Sequence, residues 1–148
     1  MAEHIYTGYA ADDAPAHRGW VLGHFMPAGD PRQSGEVEIK WAEHRRGDKR
    51  AQWVSAESRT AAIFLVSGRF RVDLPGRGVV LDRPGAYVVF SGVGHSWEAE
   101  EDSTILGVRW PSVPGYYVLA GRGAASKDGP VPAYGCSLAP CQQRSSGE

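Results

Sequence analysis

From residue 69 to residue 74 the chain alternates strictly, with Phe70, Val72 and Leu74 on one side and Arg69, Arg71 and Asp73 on the other. A period of two marks a strand with one face in a core and the other in water. The same period runs through residues 36–43, where Val37, Ile39 and Trp41 face one way and Glu36, Glu38 and Lys40 the other. That pattern predicts a half-buried strand, with Trp41 assigned to core packing. Residues 61–67, AAIFLVS, form a short continuous apolar run typical of a buried strand. Residues 104–110 set Thr104, Leu106, Val108 and Trp110 on a face opposite Ile105, Gly107 and Arg109. Residues 19–26, GWVLGHFM, are largely apolar on both faces, which predicts a strand covered on both sides.

Turn signals separate these runs: Gly47 within a charged stretch, Pro75-Gly76-Arg77-Gly78, Arg83-Pro84-Gly85, Ser91-Gly92-Val93-Gly94 and an acidic turn at 100–102. Shorter extended pieces are expected at 52–57, 79–81 and 116–119, with a further one docking around 5–9. No stretch carries a convincing helical period. Eight or more short strands at close spacing predict an all-β sandwich or barrel. The expected organisation is an arm over 1–18, a β-barrel over 19–120 and a flexible tail over 121–148, the last rich in Gly, Ala, Ser and Pro.

Composition narrows this further. At 148 residues the chain is sized for one domain. Nineteen glycines and ten prolines exceed the average share, and five Trp, six Tyr and four Phe supply a core, so the excess reads as tight turns rather than disorder. A net charge of −1 gives no basic excess to draw the chain onto nucleic acid or an anionic membrane. No apolar run approaches a membrane span, and the first residues, MAEHIYTGY, lack a charged-then-apolar leader pattern. Cys136 and Cys141 fit reduced thiols, and a cytoplasmic location is the expectation.

The order of these turns resembles a small single-domain cupin, a jelly-roll barrel carrying two sequence motifs. The second motif is matched by Gly85, the strand 87–90, the turn Ser91-Gly92-Val93-Gly94 and then His95. The frame of the first is laid from Gly47 to Gly68. The resemblance spans 36–110 and implies a jelly-roll barrel with a divalent metal held by three histidines and a glutamate. The positions of the paired histidines fall at Trp53 and Ser55, and that of the glutamate at Ala61, so His95 alone is retained. One imidazole is short of the three protein ligands that a catalytic zinc or iron site holds.

The candidate site therefore centres on His95, as general acid/base, hydrogen-bond donor or remnant ligand, or as a satisfied buried histidine. Trp53 and Trp97 either form an aromatic wall or pack in the core, and Ser55, Glu57 and Arg59 share one strand parity with Trp53, which leaves Glu57 and Arg59 either inward-facing or exposed on a loop. Arg109, between apolar neighbours, either reaches a ligand carboxylate or phosphate from inside the barrel or points outward. His24 is a second imidazole near the barrel wall or an interface residue, and His44 is a weak candidate pointing opposite Trp41. The expected function is binding of a small organic molecule, without a cofactor. The alternative is an enzyme of isomerase, cyclase or dioxygenase type, using His95 as acid/base or binding Fe, Zn, Mn or Ni through His95 with ligands such as Glu57 and His44. A homodimer is expected, through the arm and the strand at 19–26.

Overall fold

The structure is a computed structural model that describes residues 4–55 and 58–114, and the backbone of 116–120 and 124–131. Eleven strands are described: β1 (Trp20–Leu22), β2 (Glu38–His44), β3 (Trp53–Ser55), β4 (Thr60–Ser67), β5 (Phe70–Leu74), β6 (Arg77–Leu81), β7 (Tyr87–Ser91), β8 (Ser96–Ala99), β9 (Ser103–Trp110), β10 (Tyr116–Ala120) and β11 (Ala124–Val131). One sheet has the order β1-β2-β9-β4-β7, and two three-stranded sheets have the orders β6-β5-β8 and β11-β10-β3. Isolated bridges Lys49↔Glu98 and Val54↔His95 link β8 to β3 and to the chain leading into it. The all-β fold expected from the alternation is thus observed, with the jelly-roll form that the family resemblance implies.

The core lies between the layers and joins Ile63 and Leu65 of β4, Phe70 and Val72 of β5, Trp97 of β8 and Ile105 of β9. Phe70 and Val72 are fully buried, as the alternation of residues 69–74 predicts. Their outward neighbours form an ion cluster in which Arg71 contacts Asp73 at 2.7 Å, Glu98 at 3.3 Å and Glu100 at 3.2 Å. The β4–β5 turn needs its glycine. Gly68 has φ +96°, and a Cβ there would collide with the carbonyl oxygen of Asp102. Ser103 Oγ closes the same turn, accepting from the Arg69 N–H at 3.0 Å and lying 2.9 Å from the Arg69 carbonyl.

Four expectations change. In the arm, residues 5–9 form no strand; helical turns follow instead, α1 (Ala10–Asp13) and a 3₁₀ turn (Ala14–His17). Arg18 at φ 57° and Gly19 at φ 99° reverse the chain into β1. The strand expected over 19–26 ends at Leu22, after which Gly23 bridges Gln33 and the chain loops away. Residues 124–131, read from sequence as tail, form β11 on β10, and 132–148 lie outside the described residues.

The fourth change matters most for function. The inward face of β2 is not the apolar one: Glu38, Ala42 and His44 are buried, while Ile39 and Trp41 are half-buried on the outer side. Trp41 is therefore not core; its indole N–H donates to Glu43 at 3.1 Å on the exposed face. Glu38 is 0% exposed, and a carboxylate at that depth requires paired cations. They come from distant strands.

Candidate functional site

The inward residues of β2, β4 and β9 line a cavity that is open on one side. β2 contributes Lys40 and His44, β4 Ala61 and Ile63, and β9 Ile105 and Arg109. Phe90 at the end of β7, His95 before β8 and Trp97 within β8 close the opposite side. A smaller adjoining cavity is lined by Ser55, Arg59 and Val93, and shares Ala61, Phe90, His95 and Arg109 with the first. The walls are aromatic. The His95 ring lies 4.6 Å from that of Phe90, and His44 packs 4.3 Å from Trp97 and 5.7 Å from Phe70.

Beneath the cavity, Glu38 gathers a charged network. Its Oε1 lies 2.7 Å from Nε of Arg109 and 3.4 Å from Nη1 of Arg59. The Arg109 contact is an ion pair without directed hydrogen-bond geometry, since Nε and Nη2 of Arg109 are buried with no hydrogen-bond partner among the described residues. Oε2 of Glu38 accepts from the Ser112 hydroxyl at 3.0 Å, and that hydroxyl lies 2.7 Å from Nδ1 of His24. Arg59 also donates to the Val113 carbonyl. Arg109 is stacked over Trp20, with its guanidinium carbon 4.4 Å from the ring centroid, and the Lys40 ammonium lies 5.6 Å from the same ring.

His95 is set by backbone on both sides. Its N–H donates to the Val54 carbonyl at 2.9 Å, and its carbonyl accepts from the Val54 N–H at 3.0 Å. The ring is thereby directed into the cavity mouth, and its Nδ1 is buried with no hydrogen-bond partner among the described residues. Burial holds the His95 pKa well below the ordinary histidine value, and the charges of Arg50 and Arg109 push it the same way. The imidazole is neutral at neutral pH. His24 is also shifted down, mainly by burial, against the opposing pull of Glu38.

Most of the sequence-derived candidates converge here. His95, Trp97, Ser55, Arg59 and Arg109 all line one or the other cavity. Trp53 lies half-buried on β3 and is not among the described residues that line them. Glu57 lies outside the described residues. Sequence reasoning missed Lys40 and Arg50 and undervalued His44, all of which line the larger cavity. The missed signal was the even parity of Glu38, Lys40, Ala42 and His44 along β2. His24 belongs to the Glu38 network behind the wall.

The family frame can be tested on these donors. Ser55, Ala61 and His95, three of the four positions at which the resemblance places metal ligands, do meet around one cavity. A methyl group and a hydroxyl stand where an acid and an imidazole would be needed. No group of three or more His, Cys, Asp or Glu is arranged to hold a metal ion among the described residues. The described residues do not fit the usual metal site.

No protein-family model matches the chain, and no curated protein matches it. Solved structures do. Ectoine synthase from P. lautus superposes with a TM-score of 0.56 at 10% identity, covering 74% of this chain and 80% of that one. A conserved protein with a double-stranded β-helix domain from Klebsiella pneumoniae gives a TM-score of 0.54 at 14% identity, covering 67% and 75%. An RmlC-like cupin from Shewanella frigidimarina gives 0.46 at 19% identity, covering 52% and 68%. At these identities the likeness speaks for the fold alone. No helix among the described residues is long and apolar enough to cross a membrane. Antiparallel jelly-roll sheets, the two motif frames meeting around one cavity, and the superpositions on ectoine synthase and the Klebsiella double-stranded β-helix protein together give the chain the cupin fold.

Proposed function

We propose that this cupin-fold domain binds a small organic molecule in its barrel without the metal site usual for the fold. The observation that carries the reading is the cavity itself. It has aromatic walls at Phe90, Trp97 and Trp20, and a few polar groups converge on it at His95, Arg109 and Lys40. Apolar concavity with sparse, fixed polar groups is the general form of a small-molecule site. Ser55 and Ala61 line the adjoining cavity at positions where the resemblance places metal ligands, and neither side chain binds a divalent metal well.

The test is a thermal-shift screen of small organic compounds, run with and without divalent Fe, Zn, Mn and Ni. Stabilisation by an organic compound in the absence of metal is the expected result. Stoichiometric metal in protein purified without added metal would overturn the metal-free reading.

A second reading is favoured by one observation, the buried and neutral imidazole of His95 at the cavity mouth. A neutral imidazole can accept a proton and return it, so an isomerase- or cyclase-type enzyme with His95 as acid/base fits this geometry. A His95→Ala protein that folds normally and converts the eventual substrate at full rate would remove it.

A further inference from the structure

We propose that the barrel selects small organic molecules that carry a carboxylate, with Arg109 as the anchoring cation and His95 as the second donor; this rests on the reading that the barrel binds a small organic molecule. Three observations converge on it. First, the described residues lining both cavities include Lys40, Arg50, Arg59 and Arg109 but no aspartate or glutamate. The carboxylate of the network, Glu38, sits behind the wall and is shared between two guanidinium groups, Arg59 and Arg109. The cationic side chains thus face the cavity from its wall, while the acid that two of them share stays behind it.

Second, Arg109 is held in place from two directions. Nε faces Glu38 at 2.7 Å and the guanidinium plane rests on Trp20 at 4.4 Å. Its Nη2 is buried with no hydrogen-bond partner among the described residues. A guanidinium N–H left in that state is costly, and an anionic oxygen is the partner it matches best. Third, His95 Nδ1 is buried in the same condition and lines the same two cavities. In the Nδ1–H tautomer it offers one further donor. Arg109 Nη2–H and His95 Nδ1–H thus supply two donors for the two oxygens of one planar carboxylate. Phe90, Trp97 and Ile63 leave an apolar slot for the rest of the molecule.

The experiment compares matched acids and amides on the full chain by calorimetric titration at pH 7.5: benzoate against benzamide, and cyclohexanecarboxylate against cyclohexanecarboxamide. Phenyl phosphate is added as a second kind of anion. The expected result is binding of the acids at least about tenfold tighter than of their amides. In an Arg109→Met protein that keeps its far-UV spectrum, that ratio is expected to fall toward one. Equal binding of acid and amide overturns the carboxylate assignment while the small-molecule reading stands. Phenyl phosphate bound more tightly than benzoate also overturns it. Failure of every probe to bind overturns both. The acid-to-amide ratio on the unsubstituted protein decides the matter even if Arg109→Met does not fold.

Discussion

Glu38 of β2 and Arg109 of β9 are direct cross-strand partners, and their side chains meet 2.7 Å apart behind the cavity. Glu38 has no exposure at all and Arg109 very little. Removing the carboxylate takes from the buried Arg59 and Arg109 guanidinium groups the acid that both of them contact. Glu38→Ala is expected to cost about 3–5 kcal/mol of stability, the range for breaking a buried ion pair from one side. Glu38→Gln should cost less, because it keeps an oxygen that can accept from Ser112. Urea denaturation of the three proteins measures both, and an unchanged midpoint for Glu38→Ala would show that the network carries no stability.

Gly68 and Gly85 separate two reasons for a glycine. Both have positive φ, +96° and +90°, but a Cβ at Gly68 runs into Asp102 backbone whereas one at Gly85 meets open space. Gly85→Ala is expected to cost about 1 kcal/mol, the backbone term alone. Gly68→Ala should cost more than about 2 kcal/mol, because the β4–β5 turn must shift off β9. Equal losses in the two variants would mean that the Asp102 contact relaxes freely.

The buried imidazole of His95 makes stability depend on pH with a defined sign. Its folded pKa is lowered, so between that value and the unfolded value of about 6.5 the unfolded chain binds more protons. Stability is then greatest above about pH 6.5 and falls as pH drops below it, by at most about 1.4 kcal/mol per pH unit from this group. His24, also lowered, adds to the same trend. Denaturation midpoints of the unsubstituted protein between pH 7.5 and 5.5 should fall more steeply than those of His95→Gln. Parallel profiles would mean that His95 is not held neutral.

Assembly is predicted from the surface that the arm leaves. Val21 and Phe25 remain partly exposed although the buried Ala14 of the arm docks beside β1. A homodimer using the arm and β1 is expected, so light scattering at micromolar concentration should give twice the chain mass of 16.0 kDa. A chain lacking residues 1–18 is expected to dimerise more weakly. A monomer of the full chain, or an unchanged dimer of the shortened one, would refute this.

The alternation of Phe70, Val72 and Leu74 and the turns at Gly68, Gly76 and Gly85 were legible in the sequence because each depends on neighbours within a few residues. His95 was legible for the same reason, as the residue that a glycine turn delivers into a strand. The inward face of β2 was not. Its pattern of Val37, Ile39 and Trp41 against Glu36, Glu38 and Lys40 reads as apolar-in under any local rule. What turns it round is the supply of Arg59 and Arg109, which lie 21 and 71 positions further along the chain. Pairing over such separations leaves no periodic trace, and so Lys40 went unrecognised as a cavity residue and His44 was undervalued.

The position of Glu38 opposite Arg109, with Ala61 completing the same rung on β4, also governs which alignment of the strands can exist. A slip of β2 by one residue would present Ile39 to Arg109 and send Glu38 to the outer face, away from Arg59 and Arg109. Apolar side chains alone would tolerate several alignments at similar cost. An acid shared by Arg59 and Arg109 distinguishes the native alignment from the slipped one. Glu38 therefore acts as a keying element for the sheet, penalising a one-residue slip of β2 on β9, and the same alignment holds Arg109 in the cavity wall.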